Sequence, residues 1–248
     1  LLQRGASSSV VKKTVPSSLR TSYWTGIAKR ARVIYYDPSR TTPAIDMSYE
    51  DLANPKFKGK VVIRQSNNVY NQSLVSSLIQ NIGSKKTAEW AKGIVSNFAR
   101  PAKGNDRAQI LAVAAGEAEY AVANTYYIAL MLSGKKGPEQ QAAAKKVRPF
   151  FPNQMGRGTH MNISGAGILK NAPNKKNAIK LLEFLVTPEA QKHIVNNTFE
   201  YAIIEGVEPS KLIGQFGLSF KQDLKTKVSS YYRKQAEALT IMTEAGWN

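Results

Sequence analysis

The chain of 248 residues contains no cysteine. Disulfides, zinc-thiolate centres, iron-sulfur clusters and cysteine nucleophiles are thereby excluded, while the choice between a reducing and an oxidising compartment stays open. Histidine is nearly as scarce. His160 and His193 lie far apart in sequence with no triad-like motif beside either, and both read as hydrogen-bonded structural residues. No apolar run approaches the roughly 18 residues of a membrane span, and no internal repeat or low-complexity linker interrupts the chain. The opening stretch "LLQRGASSSVVKKTVP" has no initiator Met and no apolar signal-peptide core, and reads as a start within a longer protein.

Acidic residues are also few: 17 Asp and Glu face 35 Lys and Arg, for a net charge of +18. Such an excess attracts nucleic acid, anionic lipid or small anions. Its distribution argues against a nucleic-acid footprint. Lysine pairs such as Lys12-Lys13, Lys85-Lys86, Lys145-Lys146 and Lys175-Lys176 are scattered along the chain rather than gathered into one tail or helix, as on an ordinary solvated surface.

What the chain does have is apolar material, 42% of its residues, enough for a substantial core in one large domain or two lobes. "RARVIYY" (30–36) reads as a strand and "MSYEDLANP" as a short capped helix. Residues 60–64 have strand composition, Ser66 to Asn68 are cap-type residues, and Leu74, Leu78 and Ile79 recur at helical spacing until Gly83. Two more amphipathic helices follow, "SKKTAEWAKGIVSNFA" and "NDRAQILAVAAGEA", the second capped by Asn105 or Asp106. Then "EYAVANTYYIALMLSG" repeats the layout: a strand over 120–123, cap candidates Asn124 and Thr125, and a helix to about Leu132. "VRPFFPNQMGRGTHMNISGAGILK" predicts a strand, a Gly-rich mobile turn and another strand, and "NKKNAIKLLEFLVTPEAQKHIVNN" two helices broken at Pro188. Strands alternating with helices predict an α/β fold with mainly parallel sheets.

In such sheets, strand C-termini and the following helix N-termini line the crevice where ligands bind. Tyr126 and Tyr127 occupy the first helical turn after the strand at 120–123, and Tyr70 has the same address after residues 60–64. Three phenols could converge on one cleft. A helix N-terminus favours phenolate over phenol, and tyrosinate is a hard oxygen donor for ferric iron. Half-buried packing tyrosines remain the alternative, because the chain has 11 tyrosines and two further Tyr-Tyr pairs. "NISGAG" (162–167) is neither a nucleophile elbow nor a phosphate loop, and its glycines suit a strand crossing closely over another. No acid-base pair or nucleophile constellation emerges, so an enzyme is not expected.

Several long stretches taken in order, "RARVIYY", "YEDLANPKFKGKVVIRQSNNVYNQSLVSSLI", "FARPAKGNDRAQILAVAAGEAEYAVANTYY", "FFPNQMGRGTHMNISGAGILKNAPNKKNAIKLLEFLVTPEAQ" and "QAEALTIMTEAGW", closely resemble periplasmic ferric-iron-binding proteins, including the cyanobacterial type. These are the substrate-binding components of bacterial ABC iron importers. The resemblance implies a non-enzymatic, two-lobed type II periplasmic-binding-protein fold that closes over Fe3+, with or without a co-bound anion, and passes it to a membrane permease. It implies a monomer in the periplasm and no nucleic-acid partner. The family's metal-binding tyrosines fall on Tyr70, Tyr126 and Tyr127, and Arg30 resembles a cleft arginine supporting the site or its anion. Residues 1–29 and 154–204 would form the first lobe, and 30–153 with 205–248 the second. Two departures stand out. The family's first strand and a tyrosine-bearing loop, often with a histidine, would precede Leu1, and an arginine found in some relatives is replaced by Leu130. A same-fold receptor for an anion or an iron-chelate is the second hypothesis.

Overall fold

The computed structural model describes residues 1–217 and 219–248. A short strand β1 (Leu2–Gln3) and helix α1 (Ser9–Thr14) precede the long strand β2 (Trp24–Tyr36). Then come β3 (Val61–Val62), α2 (Val69–Ile82), α3 (Ser84–Ser96), α4 (Asp106–Ala115), β4 (Tyr120–Asn124), α5 (Thr125–Leu132), α6 (Pro138–Lys146) and β5 (Arg148–Phe150). The chain continues through β6 (Thr159–Leu169), α7 (Lys175–Leu185), α8 (Pro188–Thr198), β7 (Tyr201–Ala202), α9 (Lys211–Gly214), β8 (Gln222–Asp223) and α10 (Gln235–Glu244).

Local chemistry sets most of these boundaries. The side chain of Asn68 caps α2 by accepting from the Tyr70 amide at 2.9 Å, and Gly83, at φ 82°, ends it. Asn105 caps α4 through the Ala108 amide, and Thr187 caps α8 with Pro188 at its first position. The "YEDLA" segment forms a 3-10 turn over Glu50–Ala53, followed by a second over Pro55–Phe57.

The sheet corrects the parallel expectation. Its strand order is β1-β6-β2-β4-β3, and along that path only β3 and β4 are parallel; β8 joins β6 in parallel at the side. β2 runs antiparallel to β6 over Trp24 to Ala31, then antiparallel to β4 and β5 over Arg32 to Tyr36. Alternation of strands and helices reveals crossover connections but not strand direction, and two long strands shared by several partners dictate the direction here. β2 also begins well before "RARVIYY", because its first half is held by pairing with β6 rather than by an apolar run of its own. β3, in contrast, is shorter than residues 60–64 suggested.

Period-two burial places the main core on both faces of β2 and β4. Ile34 and Val122 face a cluster with Tyr49, Leu52, Leu74, Leu78, Trp90, Met242 and Trp247. Val33, Tyr35, Ala121 and Ala123 face Ile110, Val113, Ile128 and Met131. Two smaller clusters lie elsewhere, Val11, Val15, Leu19, Val186 and Ile203 in one and Ala6, Ile168 and Leu182 in the other. The glycines of "NISGAG" do serve a close crossing: a Cβ on Gly167 would sit 2.7 Å from the Tyr23 carbonyl oxygen. The "GRGTH" turn is anchored rather than loose, since Arg157 pairs with Glu50 at 2.6 Å and Gly158, at φ 94°, lies against the Lys221 backbone.

Candidate metal-binding site

Two helix starts build the site. α2 opens with Tyr70 in its first turn, and α5 follows β4 without an intervening loop, so Tyr126 and Tyr127 emerge directly from the end of the strand. The hydroxyl oxygens of Tyr70 and Tyr126 are 3.1 Å apart, and the rings of Tyr126 and Tyr127 stack at 4.2 Å between centroids. The three phenols anticipated from the sequence thus share one half-buried place. For Tyr126 and Tyr127, any helix-terminus effect on ionisation is outweighed. Burial raises the Tyr126 phenol well above its ordinary range, and the neighbouring Tyr127 and Tyr70 hydroxyls raise it further. Burial raises Tyr127 as well. Without a strong cation, both stay neutral near pH 7.

Beneath the phenols lies a basic floor. The guanidinium carbons of Arg30, Arg32 and Arg64 sit 5.4, 5.8 and 5.5 Å from the centroid of the Tyr70 ring. Arg30 donates to Ser164 Oγ at 2.6 Å and pairs with Glu200 at 2.9 Å. Arg32 pairs with Asp106 at 2.6 Å, and Arg64 reaches the other oxygen of the same carboxylate at 3.2 Å. Asp106 also accepts from the Asn124 amide at 2.8 Å, and Arg32 donates to Asn71 Oδ1 at 2.7 Å. Among the described residues, the buried donors Arg30 Nε, Arg32 Nε and Asn124 Nδ2 have no acceptor. Two guanidiniums against one carboxylate leave the floor around Asp106 with an excess positive charge, which favours anionic oxygen above it.

Sequence reasoning found Arg30 and the tyrosines but missed Arg32, Arg64, Asp106, Asn71 and Asn124 as one network. The available signal was Arg32 itself, a charge in mid-strand between Ala31 and Val33, because a buried guanidinium requires partners. Leu130 lies half-buried against the core face that includes Ile128 and Met131.

The histidines divide. His160 is buried on β6, with Nε2 3.1 Å from Ser73 Oγ and Nδ1 3.4 Å from the Tyr231 hydroxyl. Burial, followed by the cations of Arg32, Arg157 and Arg30, pushes it down to about 3, so it is a neutral structural residue. His193 is not one: it lies on the exposed side of α8, an outcome of where that helix meets the sheet. Among the described residues, no group of three or more His, Asp or Glu is placed to hold a metal ion. The three phenols gather hard oxygen donors of the kind suited to a small, highly charged ion.

Residues 7–213 match the family described as bacterial extracellular solute-binding protein. Iron uptake protein A1 of Synechocystis sp. is 48% identical over 242 residues, covering 97% of this chain and 66% of that protein. This chain therefore spans slightly less than two thirds of that curated relative. A Trichodesmium protein, IdiA (FutA), solved in complex with iron and citrate, superposes with a TM-score of 0.96 at 51% identity, covering 100% of this chain and 78% of the other. The ferric binding protein of Campylobacter jejuni gives 0.93 at 39% identity, with 100% and 78% covered. The fold is the α/β type II, two-lobed one of periplasmic ferric-binding proteins, of which the chain matches this share.

Proposed function

This chain belongs to the bacterial extracellular solute-binding proteins, and from that premise we propose that its solute is ferric iron, held by the phenolates of Tyr70, Tyr126 and Tyr127. The observation that carries the reading is the convergence of these residues: Tyr70 and Tyr126 touch through their hydroxyls, and Tyr127 stacks on Tyr126. Neutral tyrosines gathered for packing alone would not need a floor of Arg30, Arg32 and Arg64. Three phenolates balance the charge of Fe3+, and a trivalent ion polarises phenols enough to displace their protons. The protein binds and releases; the family is one of solute carriers rather than catalysts.

Delivery to the permease of an ABC importer, in the periplasm and as a monomer, completes the proposal. Among the described residues no helix is long and apolar enough to cross a membrane. Residues 1–29 and 154–204 form one lobe and 30–153 with 205–248 the other, with β2 and β6 as the crossing strands. Supporting this division, β2 changes partner from β6 to β4 between Ala31 and Arg32, and the Val11 and Ala6 clusters are separate from the main core. Leu224 and Val228 pack on the Val11 cluster, so the C-terminal region touches both lobes.

A second reading, a receptor for an anion or an iron-chelate, is favoured by one observation: the Arg30 and Arg32 Nε donors in the basic floor, which have no acceptor among the described residues. Titration of metal-stripped protein with Fe3+ at known free-ion activities, with and without citrate, separates the two. The ferric reading expects a visible phenolate-to-iron absorption band that dithionite abolishes. Stoichiometric iron in a colourless protein overturns tyrosinate ligation, and binding only of a preformed chelate favours the second reading.

A further inference from the structure

Resting on the ferric reading, we infer that Arg32 is the positioning residue that brings the two tyrosine-bearing helix starts together. Arg32 stands opposite Asn124 in the β2/β4 ladder, and its side chain is 1% exposed. Nη2 donates to Oδ1 of Asn71, the residue after Tyr70 in α2. Nη1 donates to Asp106 at the start of α4 and, at 3.3 Å, to Oδ1 of Asn124, the residue that leads into α5. The network closes on itself. Asp106 accepts the Asn124 amide, while Asn71 Nδ2 donates to the carbonyls of Arg64 and Gln65 at 2.7 and 3.0 Å, fixing the segment that enters α2. One guanidinium therefore ties the base of Tyr70 to the base of Tyr126 and Tyr127.

The residue type matters. Arginine presents several donors in a rigid planar fork, so it can hold a carboxylate and two amide oxygens at fixed angles, whereas a lysine ammonium is a flexible point charge. A buried ion pair of this kind is not retained for stability as such, since desolvation cancels much of its attraction. Its yield is geometry. Three phenolates repel one another, and an ion that must first gather scattered ligands loses affinity to that reorganisation, so a site whose second layer is locked binds more tightly.

The experiment uses the whole chain, with Fe3+ as the probe and citrate as the competing chelator. Arg32→Lys keeps a charge for Asp106 but loses the fork. Asn71→Ser removes the tie from Arg32 to α2 together with the Asn71 bonds to the Arg64 and Gln65 carbonyls, leaving the Arg32 contacts to Asp106 and Asn124 in place. Val33→Ala, on the same strand but packed in the core, is the control for plain destabilisation. Both network variants are expected to lose about tenfold or more in Fe3+ affinity, a step of about 1.4 kcal/mol, and to shift the visible band. Val33→Ala should lower only the thermal midpoint. If Arg32→Lys does not fold, Asn71→Ser decides. Affinity within about threefold of the parent and an unmoved band in the folded variants would overturn the inference while leaving the ferric reading intact. Absence of the band in the unsubstituted protein would remove the ferric reading and this inference with it.

Discussion

The hydroxyls of Tyr70 and Tyr126 lie 3.1 Å apart, although the two residues begin different helices, α2 and α5. This contact is a hydrogen bond between two phenols, so under the proposed ligation a cation has to replace it. Each oxygen then gains a far stronger partner.

Tyr126→Phe or Tyr127→Phe should therefore lower Fe3+ affinity by about two decades or more, roughly 3 kcal/mol, with little change in metal-free stability. Only an oxygen is removed, and the ring packing remains. Tyr35 is a poor control, because its hydroxyl is bonded to the Asn124 and Thr125 carbonyls at the start of α5, at 3.1 and 3.3 Å. Tyr36, at the far end of β2 opposite Tyr120, is the suitable one. Chelator competition on the three variants measures the difference, and equal losses in Tyr36→Phe would deny the pair any special role.

The legible parts of this molecule were those written in local chemistry. Asn68 before α2, Gly83 after it, Asn105 before α4 and Pro188 between α7 and α8 marked their boundaries through capping and backbone preference. The address of the three tyrosines, in the first turn of a helix, was visible for the same reason, although only Tyr126 and Tyr127 directly follow a strand. Strand direction was not, because it depends on which distant segment pairs with β2 and β6. Nor was the Arg32 network, whose members Asn71, Asp106 and Asn124 are each unremarkable polar residues at helix starts until the fold stacks them on one guanidinium. Family resemblance singled out Arg30; only the packed structure shows its pairing with Glu200.

Trp247, next to the C-terminus, should behave as a core residue. It is fully buried, packs against Trp90 and Phe98 at 6.1 and 5.6 Å between centroids, and donates from Nε1 to the Arg64 carbonyl at 2.9 Å. Trp247→Ala is expected to cost about 3–5 kcal/mol by cavity formation. Urea unfolding of the metal-free protein checks this, and a loss below about 1 kcal/mol would mean that the C-terminal segment is not docked as described.

Acid should weaken the metal-free fold through His160. Its folded value, about 3, lies below the 6.5 of a free imidazole, so the unfolded chain binds the proton more readily. The stability this burial provides is complete above pH 6.5 and is lost as pH falls towards 3, with a limiting slope of about 1.4 kcal/mol per pH unit. Glu50 also sits low: burial works to raise it, but Arg157 and Asn153 hold it below 4.5. Its contribution is lost only at lower pH, leaving the window from 6.5 to 4.5 to His160. Denaturant titrations across that window should show the slope in the parent and a flatter profile in His160→Gln; identical profiles would remove His160 as the cause.

Iron affinity should respond to pH in the same direction but more steeply. A phenol of ordinary value near 10 costs about 4 kcal/mol to ionise at pH 7, three units at 1.36 kcal/mol each. Burial raises Tyr126 and Tyr127 further, so their protons are still in place at neutral pH and must leave when the metal arrives. Binding therefore releases protons, and affinity at fixed free Fe3+ activity rises with pH, by as much as about three decades per unit if Tyr70, Tyr126 and Tyr127 all ionise. Acidification then drives release. Chelator-competition titrations over about two pH units, from roughly 5.5 to just above neutrality, measure the slope with free Fe3+ calculated at each pH. Loss of one phenol, as in Tyr127→Phe, should reduce the slope by about one decade per unit. A slope near zero in the unsubstituted protein would mean that phenolates are not the ligands, and a slope unchanged in Tyr127→Phe would remove that residue from the set.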